Sequence, residues 1–385
     1  MKFFSRFTLH WSVVCFIFFL SAELTCRLDD WIKAGVPLWA SPEEEHDLVI
    51  KDGSIQHGRP LGSFKKWHLN EYGFRSPSMS VMPVQGCTRV MVLGASESFG
   101  LYESENKEYP AQLQTLLKQH KCFEVVNASM AGMTVRSMIP YWELWSSHFS
   151  PQIVMIYPSP LFYLNITTRR TLSQSYVPPL EPSLQGQLPN EMRETFQVHS
   201  RLLMRLQDYI TLPDFIQQYR DQWNIAAQTA GQPEHWFFRE LPEEQLQWYT
   251  EDLEALARAI EAKGIRPILL TPALRVKFPP DARDLQELER GRAHTPRASP
   301  RVIAEFAQAA AARIIALAQQ YGWSVIDVGT VMNGERAYFE DLMHFNDDGA
   351  MVVARVIAHH LLVLDQARTL AGAPSARHSG RGRKG

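Results

Sequence analysis

Strands and helices alternate along most of this chain, which predicts an α/β domain with a parallel sheet covered by helices on both faces. Two observations carry the expectation. Five short apolar runs, Arg89–Leu93, Phe123–Asn127, Ile153–Tyr157, Arg266–Thr271 and Trp323–Val328, have the length of buried strands. Helical patterns lie between or after them, near Tyr109–Gln119, Val135–Ser147, Glu243–Ala262, Pro300–Tyr321 and Asn346–Ala367. The 385 residues are 45% apolar and 21% charged, a globular balance with material for one large domain or two ordinary ones. A net charge of −2 argues against a nucleic-acid partner, which usually demands a basic face.

Taken in order, the chain opens with Lys2 and Arg6 before an apolar run from Phe7 to Ala22, interrupted by His10. The run is short for a membrane span and also fits a signal-peptide core. Leu20-Ser21-Ala22 offers no small-x-small cleavage site, and Glu23-Leu24-Thr25 before Cys26 makes a poor lipoprotein site. The favoured expectation is an uncleaved single-pass anchor over residues 1–26, with the basic end cytoplasmic and the remainder periplasmic or extracellular. An ordinary buried helix is the alternative. Residues 27–84 read as an extension packed on the domain, densest at Trp67-His68-Leu69-Asn70-Glu71-Tyr72-Gly73-Phe74-Arg75.

The main domain is expected over residues 85–367. Cys87 precedes its first strand and Cys122 its second. If those strands are parallel neighbours, both thiols lie at one sheet edge within bridging range, and a Cys87–Cys122 disulfide would suit an oxidising compartment. Two unrelated thiols are the alternative. The interval between the third and fourth strands is too long for one crossover. Residues 161–242 therefore read as an insertion with helical stretches at Ser200–Tyr209 and Asp214–Ala227. Its late aromatics, Trp223, Trp236, Phe237 and Phe238, with Trp248 just beyond, either wall the site or, for most of the rings, pack against the sheet. Residues 368–385 read as a disordered basic tail with Arg377, Arg381, Arg383 and Lys384.

The chemistry centres on Arg89–Gly100, RVMVLGASESFG. Gly94 breaks the strand, and a tight turn of small residues follows. Ser96 then stands at the carboxyl end of a parallel strand, where open sheets place their sites and where backbone N–H groups converge. It is the candidate nucleophile; an ordinary strand-to-helix loop is the alternative. A serine needs a base within reach and a third group to orient it. Asp341 and His344 lie in the segment between the last strand and the last helix, at the same sheet edge. Their spacing lets the carboxylate hold one ring nitrogen while the other faces the serine. Asn346 reads as a helix cap, with Asp347 and Asp348 in the first turn. Gly132, after the second strand, can bring its N–H close beside that of Ser96 as an oxyanion donor. No metal or cofactor is expected. There is no H-E-x-x-H or paired C-x-x-C, His359 and His360 are adjacent on a helix, and Gly94 and Gly100 frame a serine rather than G-x-G-x-x-G.

The ordered set Gly94-x-Ser96-x-Ser98-Phe99-Gly100, then Asn127-x-x-x-x-Gly132, then Asp341-x-x-His344 resembles the SGNH/GDSL hydrolase family over roughly Lys66 to Leu364. Asn70-x-x-Gly73-Phe74-Arg75 and the apolar amino terminus resemble its membrane-anchored bacterial members, many of which act on acylated polysaccharides. The α/β-hydrolase motif G-x-S-x-G does not fit, because Ser98 stands at its last glycine. The resemblance implies a three-layer α/β/α flavodoxin-like fold with a five-stranded parallel sheet in the order 2-1-3-4-5. It also implies Ser96 as nucleophile, His344 as base, Asp341 as orienting carboxylate, and the Ser96 and Gly132 N–H groups in the oxyanion hole. Two departures stand out. Ala95 replaces the usual aspartate, and Tyr157-Pro158-Ser159-Pro160 replaces the third block, G-x-N-D, so that Ser159 or Asn165 would have to supply the missing donor. The implied function is a serine esterase acting on acyl, above all acetyl, esters of an extracytoplasmic glycan. Acyl transfer to a sugar hydroxyl and glycan binding on a degenerate hydrolase fold are the alternatives.

Overall fold

The computed structural model describes residues 2–34, 38–39, 48–52, 55–64, 66–120, 122–167, 200–203 and 214–372. Residues 168–199 and 204–213 of the insertion lie outside the described residues, as do residues 373–385 of the expected tail; residues 368–372, expected in that tail, instead continue the last helix, which runs to Gly372.

The five apolar runs form one parallel sheet of β1 (Thr88–Gly94), β2 (Phe123–Asn127), β3 (Ile153–Tyr157), β4 (Arg266–Leu270) and β5 (Ser324–Ile326). Their spatial order is β2-β1-β3-β4-β5. Val90–Leu93 and Val154–Ile156 have no exposed surface. A strand covered on both faces has no polar side to show, which is why these segments read as continuous apolar runs. One face packs on α4 (Val135–Leu144), α6 (Glu243–Glu261) and α8 (Pro300–Tyr321), and the other on α3 (Tyr109–Leu117) and α10 (Asp347–Gly372). The chain leaves β1 for β2 on one side and returns to β3 on the other. The carboxyl ends of β1 and β3, paired at Gly94 and Tyr157, therefore flank a switch point where a crevice opens.

Some boundaries differ from expectation for identifiable reasons. The last strand stops at Ile326, because Asp327 accepts bonds from the N–H and hydroxyl of Thr330 and starts a short helix, α9 (Val328–Met332). A further helix, α7 (Ala282–Gly291), begins at a capping box formed by Asp281 and Asp284. Helix α4 ends at Leu144 and passes through a loose turn, Ser146–Phe149.

Helix α1 runs Lys2–Ala34, beyond the expected anchor, and its stretch His10–Asp29 has a mean hydropathy of 1.6. By length and composition that stretch can cross a membrane, and Phe16, Ile17, Phe18 and Phe19 are exposed on it. Helix α8 also passes on length but is half-buried in the domain core. Glu23 of α1 accepts bonds from the Ser200 hydroxyl and the Arg201 and Leu202 N–H groups, tying the insertion to this helix. Within the insertion, Trp223 on α5 (Asp214–Thr229) is exposed, whereas Phe238 packs against the core, as does Trp248 beyond the insertion.

Cys87 and Cys122 form a disulfide at the amino-terminal edge of β1 and β2, with Cα atoms 4.5 Å apart. The extension preceding them folds as two hairpins, Val49–Asp52 with Ile55–Gly58 and Ser63–Phe64 with Trp67–His68. They lie against the domain through Leu48, Trp67 and Leu69, which cluster with Phe99, Leu101 and Ala131.

Candidate active site

The turn after β1 is one helical turn, α2 (Ser96–Phe99), closed by Gly100 in the left-handed conformation at φ 90°. Gly94 has no freedom to be anything larger, since a Cβ there would collide with the Ser98 side chain. The turn is held from several directions. Asn127, at the end of β2, donates its amide to the Ser98 carbonyl (2.9 Å) and accepts from Ser129 N–H (3.2 Å). Ser98 Oγ meets the Tyr109 hydroxyl at 2.7 Å. Arg75 Nη1 donates to the Phe99 and Gly100 carbonyls (2.7 and 2.5 Å), and Trp67 Nε1 reaches Gly100 O at 3.3 Å. Sequence reasoning noted Arg75 in a motif but gave it no role; here it locks the far end of the Ser96 turn.

Arg75 in turn has an exact local origin in that motif. Asn70 Oδ1 accepts the Tyr72 and Phe74 N–H groups (both 3.0 Å), and Gly73 bends at φ 78° to pack against Gly58. This throws Phe74 into the core and Arg75 beneath the Ser96 turn, beside buried Glu108 at 3.2 Å.

His344 arrives from the loop between β5 and α10. Its Nε2 lies 2.8 Å from Ser96 Oγ, and its Nδ1 lies 2.7 Å from Asp341 Oδ2. The other carboxylate oxygen, Asp341 Oδ1, accepts the Met343 and His344 N–H groups, both at 2.9 Å. Ser96, His344 and Asp341 thus form one continuous hydrogen-bonded chain at the switch point. Asn346 caps α10, its Oδ1 accepting Gly349 N–H at 3.0 Å, and Asp347 accepts Ser104 N–H at 2.7 Å.

The electrostatics follow from the carboxylates around the imidazole. Burial alone would push His344 down, but the charge and hydrogen bond of Asp341, with Glu97 and Glu103 nearby, carry it up to about 9. Burial opposes the Asp341 anion, yet the His344 charge and the bonds it receives hold its carboxyl well below the usual range. Glu103, buried behind the site, is pushed up to about 8 by burial, against the pull of Arg75 and His344. The Tyr102 ring meets the His344 ring edge-on at 5.4 Å.

Gly132 lies in the turn after β2 with φ 77°, and Met130 N–H donates to Gly94 O (3.2 Å), laying that turn beside the Ser96 turn. The two residues named as replacements for the missing third donor are both engaged elsewhere. Asn165 donates its amide to the His294 carbonyl. Ser159 Oγ donates to Glu97 Oε1 at 2.6 Å, so its proton is committed to that carboxyl group and not to the space beside Ser96. Glu97 escaped sequence reasoning. It is 3% exposed, and its Oε2 stands 3.5 Å from Ser96 Oγ. Its place immediately after the serine was the available signal. Among the described residues, no group of three or more His, Cys, Asp or Glu side chains is arranged to hold a metal ion.

No family model and no curated protein matches the chain. Several solved structures are similar to it. A point variant of an acetyl-xylooligosaccharide esterase from Geobacillus stearothermophilus is 14% identical with a TM-score of 0.41, over 71% of this chain and 93% of that one. A protein described as lipolytic and of the G-D-S-L family, from Desulfitobacterium hafniense, is 14% identical with a TM-score of 0.37, over 71% and 98%. An alpha/beta hydrolase from the metagenome of Lake Arreo, Spain, is 14% identical with a TM-score of 0.40, over 70% and 93%. Likeness at this level bears on neither the reaction nor the reacting residues of this chain.

Proposed function

We propose that the protein is a serine esterase of SGNH type, tethered by α1, that removes acyl groups, acetyl above all, from an extracytoplasmic glycan. The observation that carries the reading is the Ser96–His344–Asp341 chain, with bonds of 2.8 and 2.7 Å at the sheet's switch point. A bare serine hydroxyl is a weak nucleophile, and this arrangement is what activates it. In the reaction, His344 Nε2 takes the proton as Ser96 Oγ attacks the ester carbonyl. The same proton passes to the leaving sugar oxygen as the C–O bond breaks, leaving acyl-Ser96. Water, deprotonated by His344, then attacks the acyl carbon; the bond to Ser96 Oγ breaks, His344 returns the proton to that oxygen, and the acid leaves. Asp341 holds the imidazole tautomer and offsets the charge of the imidazolium. The N–H groups of Ser96 and Gly132 are the oxyanion donors. The membrane tether draws support from the composition of α1, and the exported location from the Cys87–Cys122 disulfide.

The test uses the full chain in detergent with a fluorophosphonate probe and a small acetyl ester. Ser96→Ala and His344→Ala should each abolish labelling and cut turnover by on the order of 10⁶. A folded wild type that neither labels nor turns over would overturn the reading. Added oligosaccharide that diverts the acyl group from water would assign the same intermediate to transfer.

A further inference from the structure

The two hydrogen bonds that aim the His344 imidazole differ in how long they last. Nδ1 is held by Asp341 at 2.7 Å, and Nε2 faces Ser96 Oγ at 2.8 Å. In the free enzyme the serine hydroxyl carries the hydrogen of the second bond. Once Ser96 is acylated, Oγ is an ester oxygen with no hydrogen to donate, and Nε2 is left with a bare lone pair. The bond to Asp341 then fixes one point of the ring and not its plane. Yet the second half of the reaction requires the same Nε2 to take a proton from water in a set geometry.

A contact that does not depend on the state of Ser96 Oγ is in place. Among the described residues, Tyr102 supplies the one aromatic contact of His344, edge-on, with ring centroids 5.4 Å apart and planes at 63°. This tyrosine belongs to the body of the serine turn rather than to the base loop. Just before it, the Gly100 and Leu101 N–H groups donate to the Ser96 carbonyl (3.0 and 3.3 Å). The Tyr102 N–H donates to buried Glu103 Oε2 at 3.1 Å, and the Tyr102 carbonyl accepts from Lys66 Nζ of the amino-terminal extension at 2.9 Å. Its side chain packs on the cluster that includes Trp67 and Phe99. Resting on the esterase reading, we infer that Tyr102 is a positioning residue for deacylation, its ring keeping the imidazole aimed at the incoming water while Ser96 carries the acyl group. Acylation starts with the Ser96–His344 bond intact and depends on the ring far less.

Tyr102→Phe keeps the ring, and Tyr102→Leu keeps apolar bulk without it. With p-nitrophenyl acetate and the full chain in detergent, the two half-reactions are read apart. Nitrophenol release under kcat/KM conditions reports acylation. The decay of acetyl-Ser96, followed by mass spectrometry after acid quench, reports deacylation. Tyr102→Leu should slow that decay about tenfold, the scale of one edge-on aromatic pair, and change kcat/KM by less than about threefold. Tyr102→Phe should restore the decay to within about twofold of wild type. Because the decay is first order, a smaller folded fraction in a variant does not alter it. Equal losses in decay and kcat/KM for Tyr102→Leu would overturn the proposal, since the ring would then serve both halves alike. So would an unchanged decay in Tyr102→Leu, or a Tyr102→Phe variant as slow as Tyr102→Leu. Folded wild type that neither releases nitrophenol nor gains an acetyl group would count against the esterase reading instead.

Discussion

Two turns at one sheet edge carry Ser96 and His344, and they are held in different ways. The Ser96 turn is interior structure: Ala95 through Phe99 are at most 6% exposed, and their partners come from β2, α3, the loop after β3 and the amino-terminal extension. The loop carrying His344 is surface structure, with the Asp341 side chain 37% exposed. It is ordered by Asp341 bonding two N–H groups of its own loop, by Glu340 N–H bonding the His344 carbonyl at 2.9 Å, and by Arg275 N–H donating to the Leu342 carbonyl at 2.8 Å. The position of Ser96 is therefore a property of the core, while His344 is positioned by hydrogen bonds in and around its loop. Damage to the first should show in stability, and damage to the second in rate.

The largest effect expected from that contrast is Asp341→Asn. The amide oxygen can still accept the Met343 and His344 N–H groups, so the loop should keep its shape and the melting temperature should barely move. Without the carboxylate charge the imidazole tautomer is no longer enforced, and kcat should fall by on the order of 10⁴. A large drop in melting temperature would show the loop to be part of the core after all.

Arg75→Met reverses the balance. Arg75 is 5% exposed, bonds two carbonyls at the end of the Ser96 turn and neighbours buried Glu108. Removing it leaves that carboxyl group without its cation, and such breaks cost about 3–5 kcal/mol. The denaturation midpoint should fall accordingly, with the residual folded protein still labelled at Ser96. Unchanged stability with lost activity would sink the division of labour between the two turns.

How much of this could be read from the chain follows the same division. The strands were legible because burial on both faces makes them continuous apolar runs, and Ser96, Asp341 and His344 because each has a fixed place relative to a strand or helix end. The last strand stops at Ile326 rather than Val328 because Asp327 caps the helix that follows, and an apolar Val328 suits either element. Helix α7 was missed because few of its residues are apolar, although Asp281 and Asp284 spelled its start. Glu97, Ser159 and Arg75 were opaque for a different reason. What each does is fixed by a partner 24 to 62 residues away, and pattern along the chain carries no such information.

The pH profile sharpens the account of the base loop. With His344 raised to about 9, the neutral imidazole is the minor form at neutral pH. The rate constant kcat/KM should climb about tenfold per pH unit from 7, roughly a hundredfold in all, and level off above about 9. In Asp341→Asn the whole limb should move towards the ordinary imidazole range. The sign for stability is the reverse. A folded value above the unfolded 6.5 contributes stability fully below 6.5 and loses it as pH rises through about 9. A flat activity profile would mean that the carboxylates do not raise His344.

The smallest effect tests whether the base loop depends on the helix that follows it. Asn346 sits two residues beyond His344, accepts the Gly349 N–H and donates to the Ala337 carbonyl, joining the loop to the first turn of α10. Loss of a helix cap typically costs about 1 kcal/mol, so Asn346→Ala should lower stability by that amount. If the loop is ordered by Asp341 alone, kcat should change less than about threefold, because a cap loss felt only in folding leaves the Ser96–His344 bond in place. A drop in kcat of tenfold or more at unchanged KM would instead place the cap among the groups that aim the imidazole, making α10 and the base loop one unit.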